Sequence, residues 1–188
     1  MVEIAALPSV TATTLYQYVD DWIEPYEAEA NFGIVRFGGD DPKLSYYVVQ
    51  RLNSLLSDGV RPWEGELKVQ IPLDYETLQA KRPALAGSPK LEPPYPRWYA
   101  LRGQQGELVV AFWLPVVASD ERKSFVCDVK ITTTGFGFPI EIDTVTGERH
   151  DLKMSVDQQE GQTILKDVRV PDYPVIIRMF PLADINLP

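Results

Sequence analysis

The stretch Asn31–Gly59, NFGIVRFGGDDPKLSYYVVQRLNSLLSDG, decides how the rest of the chain is read. Phe32, Ile34, Val35 and Phe37 form a short apolar run that Gly38-Gly39 interrupts. Asp40 or Asp41 is suited to N-cap the next element, and Pro42 to its first turn, where a missing N–H costs nothing. Leu44, Val48, Leu52 and Leu55 then share one helix face, with Val49 and Leu56 beside them. Asp58-Gly59 is expected to end the helix, because glycine tolerates the left-handed conformation at that point. The spacing predicts a strand, a glycine turn and an amphipathic helix, which together make a βα unit. The strand is apolar on both faces, as in parallel sheets, and needs neighbours. Two readings follow: a strand and helix packed onto a small α+β domain, or the last βα unit of a larger parallel barrel.

Beyond this unit the pattern turns to β. Val60–Pro96 is rich in proline, which excludes helix from most of it, although Glu66–Leu73 alternates Leu67, Val69 and Ile71 as a strand does. From Arg97 onward the period is two. Trp98–Gly103 and Glu107–Val116 are joined by Gln104-Gln105-Gly106, a hairpin signal. Strands are expected at Ser124–Thr132, Phe138–Asp143, Glu148–Ser155, Thr163–Val170 and Tyr173–Phe180, with turns at Gly135–Gly137, Thr146-Gly147 and Gly161. Glu148–Ser155 is polar and reads as an edge strand, and Thr163–Val170 as alternating on Ile164, Asp167 or Val168, and Val170. Short strands at this spacing describe an antiparallel sandwich.

Composition narrows the functional classes. The 188 residues carry a net charge of −9, so a phosphate backbone would be repelled and nucleic-acid binding is not expected. No apolar run reaches the roughly 18 residues of a membrane span, and Met1–Leu7 lacks the basic start of a signal peptide, which leaves the compartment open. With one cysteine and one histidine, neither an internal disulfide nor a zinc site of usual spacing is available, and neither a metal nor a cofactor is expected. Cys127 alternates with Phe125 and Val129 and reads as a small core residue; His150 reads as a solvated strand residue. No GxSxG elbow, GxxxxGK[ST] or GxGxxG loop occurs.

Glu27–Leu52 carries Glu29, Asn31-Phe32-Gly33-Ile34, Pro42-Lys43 and Tyr46-Tyr47. This wording resembles the end of the catalytic barrel in clan A glycoside hydrolases, xylosidase/iduronidase-like families above all, whose eighth strand holds an E-x-NFGL phrase and whose eighth helix opens PK-P-YYAL. The tail, with Asp143, Thr146-Gly147-Glu148 and Asp172-Tyr173-Pro174, resembles the β-sandwich that often follows such barrels. Tyr16–Asp21 and Glu24-Pro25-Tyr26 echo a further barrel phrase.

The resemblance implies site residues. Val2-Glu3-Ile4 followed by Leu7-Pro8-Ser9 matches the seventh-strand phrase, whose glutamate is the nucleophile, so Glu3 is the implied catalytic residue. Trp22, Tyr26 and Glu29 fall in the loop corresponding to the barrel mouth and are the implied sugar-binding residues. Asp20, Asp21, Glu24, Glu27 and Glu29 read as a solvated acidic loop, with a calcium site or a substrate rim as the alternatives. Retaining hydrolysis needs two carboxyls about 5–5.5 Å apart, one with a raised pKa. The family's acid/base follows the fourth barrel strand, and no such strand precedes Glu3. The fold expected is mainly β: residues 1–61 as a βα remnant of a (β/α)8 barrel, and 62–188 as an antiparallel β-sandwich with a proline-rich linker at 72–96. The function expected is that of a non-catalytic C-terminal part of a glycoside hydrolase, structural or weakly carbohydrate-binding. Its partners would be carbohydrate and the remainder of a barrel or a second copy. The alternatives are an intact small binding or assembly protein that docks through its βα face, and a barrel completed by partner chains with retaining glycosidase activity. A remnant is expected to leave Ile4, Phe32, Ile34 and the Leu44, Leu52 and Leu55 stripe poorly covered.

Overall fold

In Leu108–Trp113, LVVAFW, every residue is apolar, so a strand built from it must be covered on both faces. A computed structural model shows how this is met; it describes residues 18–20, 33–56, 59–72, 96–114 and 124–182. The strands are β1 (Arg61–Pro62), β2 (Val69–Gln70), β3 (Arg97–Arg102), β4 (Leu108–Trp113), β5 (Ser124–Ile131), β6 (Phe136–Asp143), β7 (Arg149–Asp151), β8 (Met154–Asp157), β9 (Gln162–Pro171) and β10 (Val175–Pro181). They form a six-stranded sheet in the order β1-β3-β4-β10-β6-β7 and a four-stranded sheet in the order β2-β5-β9-β8, antiparallel throughout. The protein is mainly β, as expected.

The two sheets pack face to face. Leu108, Val110, Phe112, Val175, Ile177 and Met179 from one meet Val129, Ile131, Leu165, Val168 and Val170 from the other in a single buried cluster. The alternate residues Val109, Ala111 and Ile176, with Leu101 and Ile142, face the other way. They are covered by helix α1 (Leu44–Leu55), whose Leu52 is 4% exposed and whose Val48 and Leu55 pack beside it. The stripe expected to lie open is therefore closed by the sandwich, except at Leu44, which is 51% exposed. The domain boundary expected between residues 61 and 62 falls inside β1, which pairs with β3.

The start of α1 differs from the expectation. The N-cap is Lys43, with no side-chain capping bond, rather than Asp40 or Asp41. Asp41 is engaged otherwise: its carbonyl accepts the Arg36 N–H at 2.9 Å and its carboxylate pairs with the Arg36 Nε at 3.2 Å. Pro42 lies outside the helix and bridges back to Val35. Gly38 and Gly39 make the reversal between them, at φ 100° and 85°. The apolar run contributes isolated bridges at Val35 rather than a full strand, one of them parallel to Val19. The helix ends at Leu55, with Leu56 as its C-cap, ahead of Gly59.

Four further differences follow from register. Glu66–Leu73 contributes only β2. Glu148–Ser155 divides into β7 and β8, edge strands of different sheets, as the chain crosses the sandwich at Leu152-Lys153. Gly137 lies within β6 rather than in a turn. In β9 the inward residues are Thr163, Leu165, Val168 and Val170, not Ile164 or Asp167. A bulge opposite Asp128 inserts one residue, and Asp167 takes φ 56°, a left-handed conformation that aspartate tolerates.

Candidate functional site

Polar side chains converge where β6, β9 and β10 end. On β6, Ile140 and Ile142 face α1, so Glu141 and Asp143 point between the sheets, and they are 1% and 2% exposed. Buried carboxylates need partners. Arg169 on β9 supplies them for Glu141, its Nε donating to Oε1 at 2.8 Å and its backbone N–H to Oε2 at 3.1 Å. Beyond Leu165, β9 is no longer paired with β8, so Glu141 takes an N–H that a neighbouring strand would otherwise accept. Asp143 organises the β6–β7 turn. Its Oδ1 accepts the N–H groups of Val145 at 2.8 Å and Thr146 at 2.9 Å, and its Oδ2 accepts the Tyr173 hydroxyl at 2.8 Å. The Thr144 hydroxyl donates to the Pro174 carbonyl at 2.5 Å. Arg51 of α1 donates to the carbonyls of Thr144 and Val145, and a side chain on Gly147 would strike it. Asp143–Glu148 and Asp172–Pro174, the two phrases that carried the sandwich half of the resemblance, thus meet in one hydrogen-bonded knot.

The electrostatics follow from these contacts. Burial pushes the Asp143 pKa up, but the Thr146 N–H, the Tyr173 hydroxyl, the Val145 N–H and nearby Arg169 together outweigh it and hold the carboxyl below its ordinary value. Burial works against the Arg169 charge, and Glu141 and Asp143 more than restore it. Asp143 is therefore an ionised acceptor at neutral pH and cannot serve as a proton donor. Beside the knot lies a pocket of about 190 Å3 lined by Ser124, Asp143, Thr146, Glu148, Arg169 and Tyr173. Arg169 Nη2 lies 3.9 Å from Asp143 Oδ2 and has no hydrogen-bond partner.

A second buried carboxylate, Glu107, pins the β3–β4 hairpin. It accepts Arg178 Nη2 at 2.5 Å and the Gln105 N–H at 2.8 Å. Burial raises its pKa, but its own N–H, Arg178 and Gln105 bring it below the ordinary value. Gly103 is required here, since a Cβ would overlap the Glu107 carboxylate.

Of the residues singled out from sequence, Glu3, Trp22, Tyr26 and Glu29 lie outside the described residues, as do Asp21, Glu24 and Glu27. Asp20 is described and is not a solvated loop residue: it is 5% exposed and pairs with Lys43 Nζ at 2.7 Å. Cys127 is half-buried, and burial with the Asp128 charge pushes its thiol up to about 11, so it is unreactive at neutral pH. His150 is exposed on β7, 3.7 Å from Glu148. Among the described residues no group of three or more potential ligands could hold a metal ion, and no helix is long and apolar enough to cross a membrane. Glu141 and Arg169 were not singled out, and Asp143 and Tyr173 entered only as parts of the tail phrases; the signal was available in PIEID, where acids occupy the positions between apolar residues of a buried strand. No family model and no curated protein matches the sequence.

Proposed function

We propose that the chain is the non-catalytic C-terminal part of a xylosidase/iduronidase-like glycoside hydrolase: a structural or weakly carbohydrate-binding β-sandwich joined to the last βα unit of a (β/α)8 barrel. The observation that carries this reading is the parallel bridge between Val19 and Val35, on a segment that leads through the Gly38-Gly39 reversal into α1. Val35 N–H donates to the Tyr18 carbonyl at 3.0 Å and Asp20 N–H to the Val35 carbonyl at 2.9 Å. Parallel pairs arise in βα architecture and are otherwise scarce. A Cβ at Gly33 would collide with the Val19–Asp20 backbone, which gives the glycine of the NFG phrase a physical reason. The hydrogen-bonded knot built from the two tail phrases supports the same reading from the sandwich side.

The chemistry argues for a non-catalytic role. Glycoside hydrolysis requires a carboxylic acid with a raised pKa. Asp143 and Glu107 are both shifted the other way and are fully engaged with protein donors. Carbohydrate binding is tested by affinity electrophoresis through gels containing neutral polysaccharides. Retardation in at least one gel is expected, and unretarded migration in all of them contradicts the binding half of the proposal.

A second reading, docking through the βα face, is favoured by one feature. Tyr18 and Tyr47 are exposed and linked through Tyr46, with ring centroids 6.4 and 5.4 Å apart, and Phe37 and Leu44 are exposed on the same βα unit. Sedimentation equilibrium tests it: docking of a second copy through this face requires a defined oligomer that Tyr47→Ser and Leu44→Ser disrupt, and a monomer contradicts it.

A further inference from the structure

We infer that the β6–β7 turn is a latch for α1: Asp143 on one side and Arg51 on the other hold the same two peptide groups, so Asp143 positions the helix through the turn. Arg51 precedes Leu52, the buried residue of α1, and its guanidinium lies over the Tyr47 ring of the same helix at 5.7 Å. From there it donates to the Thr144 carbonyl at 3.0 Å and to the Val145 carbonyl. The Thr144 carbonyl shares its peptide group with the Val145 N–H, and the Val145 carbonyl shares its own with the Thr146 N–H. Those are the two N–H groups that Asp143 Oδ1 accepts, at 2.8 and 2.9 Å. A peptide group is planar and trans, so its N–H and C=O point in opposite directions. Fixing one end of each group therefore aims the other.

Charge reinforces the geometry. Asp143 is ionised at neutral pH and Arg51 is always cationic, so each of the two peptide groups has an anion at its N–H and a cation at its C=O. Hydrogen bonds joined in this way polarise one another, and loss of either charge weakens the bonds at the far end. Gly147 closes the cradle at φ 81°, where a Cβ would come within 2.8 Å of Arg51 Nε. The Thr144 hydroxyl ties the turn to the Pro174 carbonyl, so the latch belongs to the sandwich and the helix is the part that leaves. Under α1 lie Leu101, Val109, Ala111, Ile142 and Ile176, and release of the helix uncovers this apolar face while the core between the sheets stays closed. Thr146 and Glu148 of the turn are exposed, so the latch is at the surface although the face it guards is buried.

The test is amide hydrogen exchange of the full chain, with Leu44–Leu55 read against β4 and β10 in a double-mutant cycle. Arg51→Ala is expected to speed exchange in α1 by about tenfold or more and to leave β4 and β10 protected. Asp143→Ala is expected to speed exchange of the same α1 amides by about fivefold, although its own hydrogen bonds go to the turn and to Tyr173. Asp143→Asn keeps an uncharged acceptor and should fall between the unaltered chain and Asp143→Ala. With both Arg51 and Asp143 replaced by alanine, the second substitution should add less than about twofold, because the coupling is already lost. Single effects that multiply in full overturn the inference, and so does unchanged α1 protection in Asp143→Ala. If Asp143→Ala does not fold, the cycle is run with Asp143→Asn under the same criteria. Gly147→Ala leaves the buried carboxylates in place and sets a Cβ against Arg51, so it too should deprotect α1. Protection of α1 in both Gly147→Ala and Arg51→Ala overturns the latch, as does an equal rise in exchange across α1, β4 and β10.

Discussion

The two faces of the six-stranded sheet are both apolar, but they are closed by different means. The inner face interdigitates with a second sheet, and residues from β4, β5, β9 and β10 bury one another completely. The outer face is closed by one helix of 12 residues, in which Leu52 is the buried residue and Val48, Leu55 and Leu56 contribute from its flanks. A helix of this length is marginal on its own, and α1 has no side-chain cap and carries Tyr46, Tyr47, Val48 and Val49, all modest helix formers. Its order therefore comes from the sheet beneath it and from Arg51, which reaches the carbonyls of the β6–β7 turn. The difference teaches that the sandwich supports the helix more than the helix supports the sandwich.

Substitutions on the two faces put that asymmetry at risk. Phe112→Ala empties the inner core and is expected to lower global stability by about 3–5 kcal/mol, read by denaturant unfolding. Leu52→Ala is expected to cost less, about 2–3 kcal/mol, and to act locally. Hydrogen exchange should rise across Leu44–Leu55 while β4 and β10 keep their protection. Equal deprotection of both regions would show that the helix and sandwich unfold as one unit.

The knot beneath the helix makes a smaller contribution that depends on pH. The Asp143 pKa is lowered in the folded state, so its contribution is present above its ordinary value of 3.8 and is lost as the pH falls below it. Stability of the unaltered chain should therefore decline through that acidic window, and Asp143→Asn should decline less steeply, as followed by thermal melts from pH 6 to about 3. The smallest effect is expected at Leu44, which is exposed: Leu44→Ser should change stability by no more than about 0.5 kcal/mol.

Much of this architecture was legible in residue patterns. Gln104-Gln105-Gly106 joins β3 to β4 as its turn chemistry implies, and the period-two runs located β5, β9 and β10. The Leu52 stripe located α1. What periodicity could not convey was register. The bulge at Lys166-Asp167 sets Leu165 and Val168 on the same side, three positions apart, so strict alternation chooses the wrong phase. The crossing at Leu152-Lys153 was hidden because β7 and β8 are both polar edges and read as one strand. The helix start was missed because Asp41 is taken by Arg36, a pairing that depends on the reversal at Gly38-Gly39. The site was obscure for a related reason: Glu141 and Asp143 look like surface acids until β9, distant in sequence, brings Arg169 to them.

The central functional claim is that this chain does not hydrolyse glycosides. The most direct measurement is turnover of a panel of aryl glycosides by the purified chain, with Glu3→Gln assayed beside it. The account predicts no turnover by either protein. Turnover by the unaltered chain that Glu3→Gln abolishes would contradict it, and would mean that a working site is assembled around Glu3.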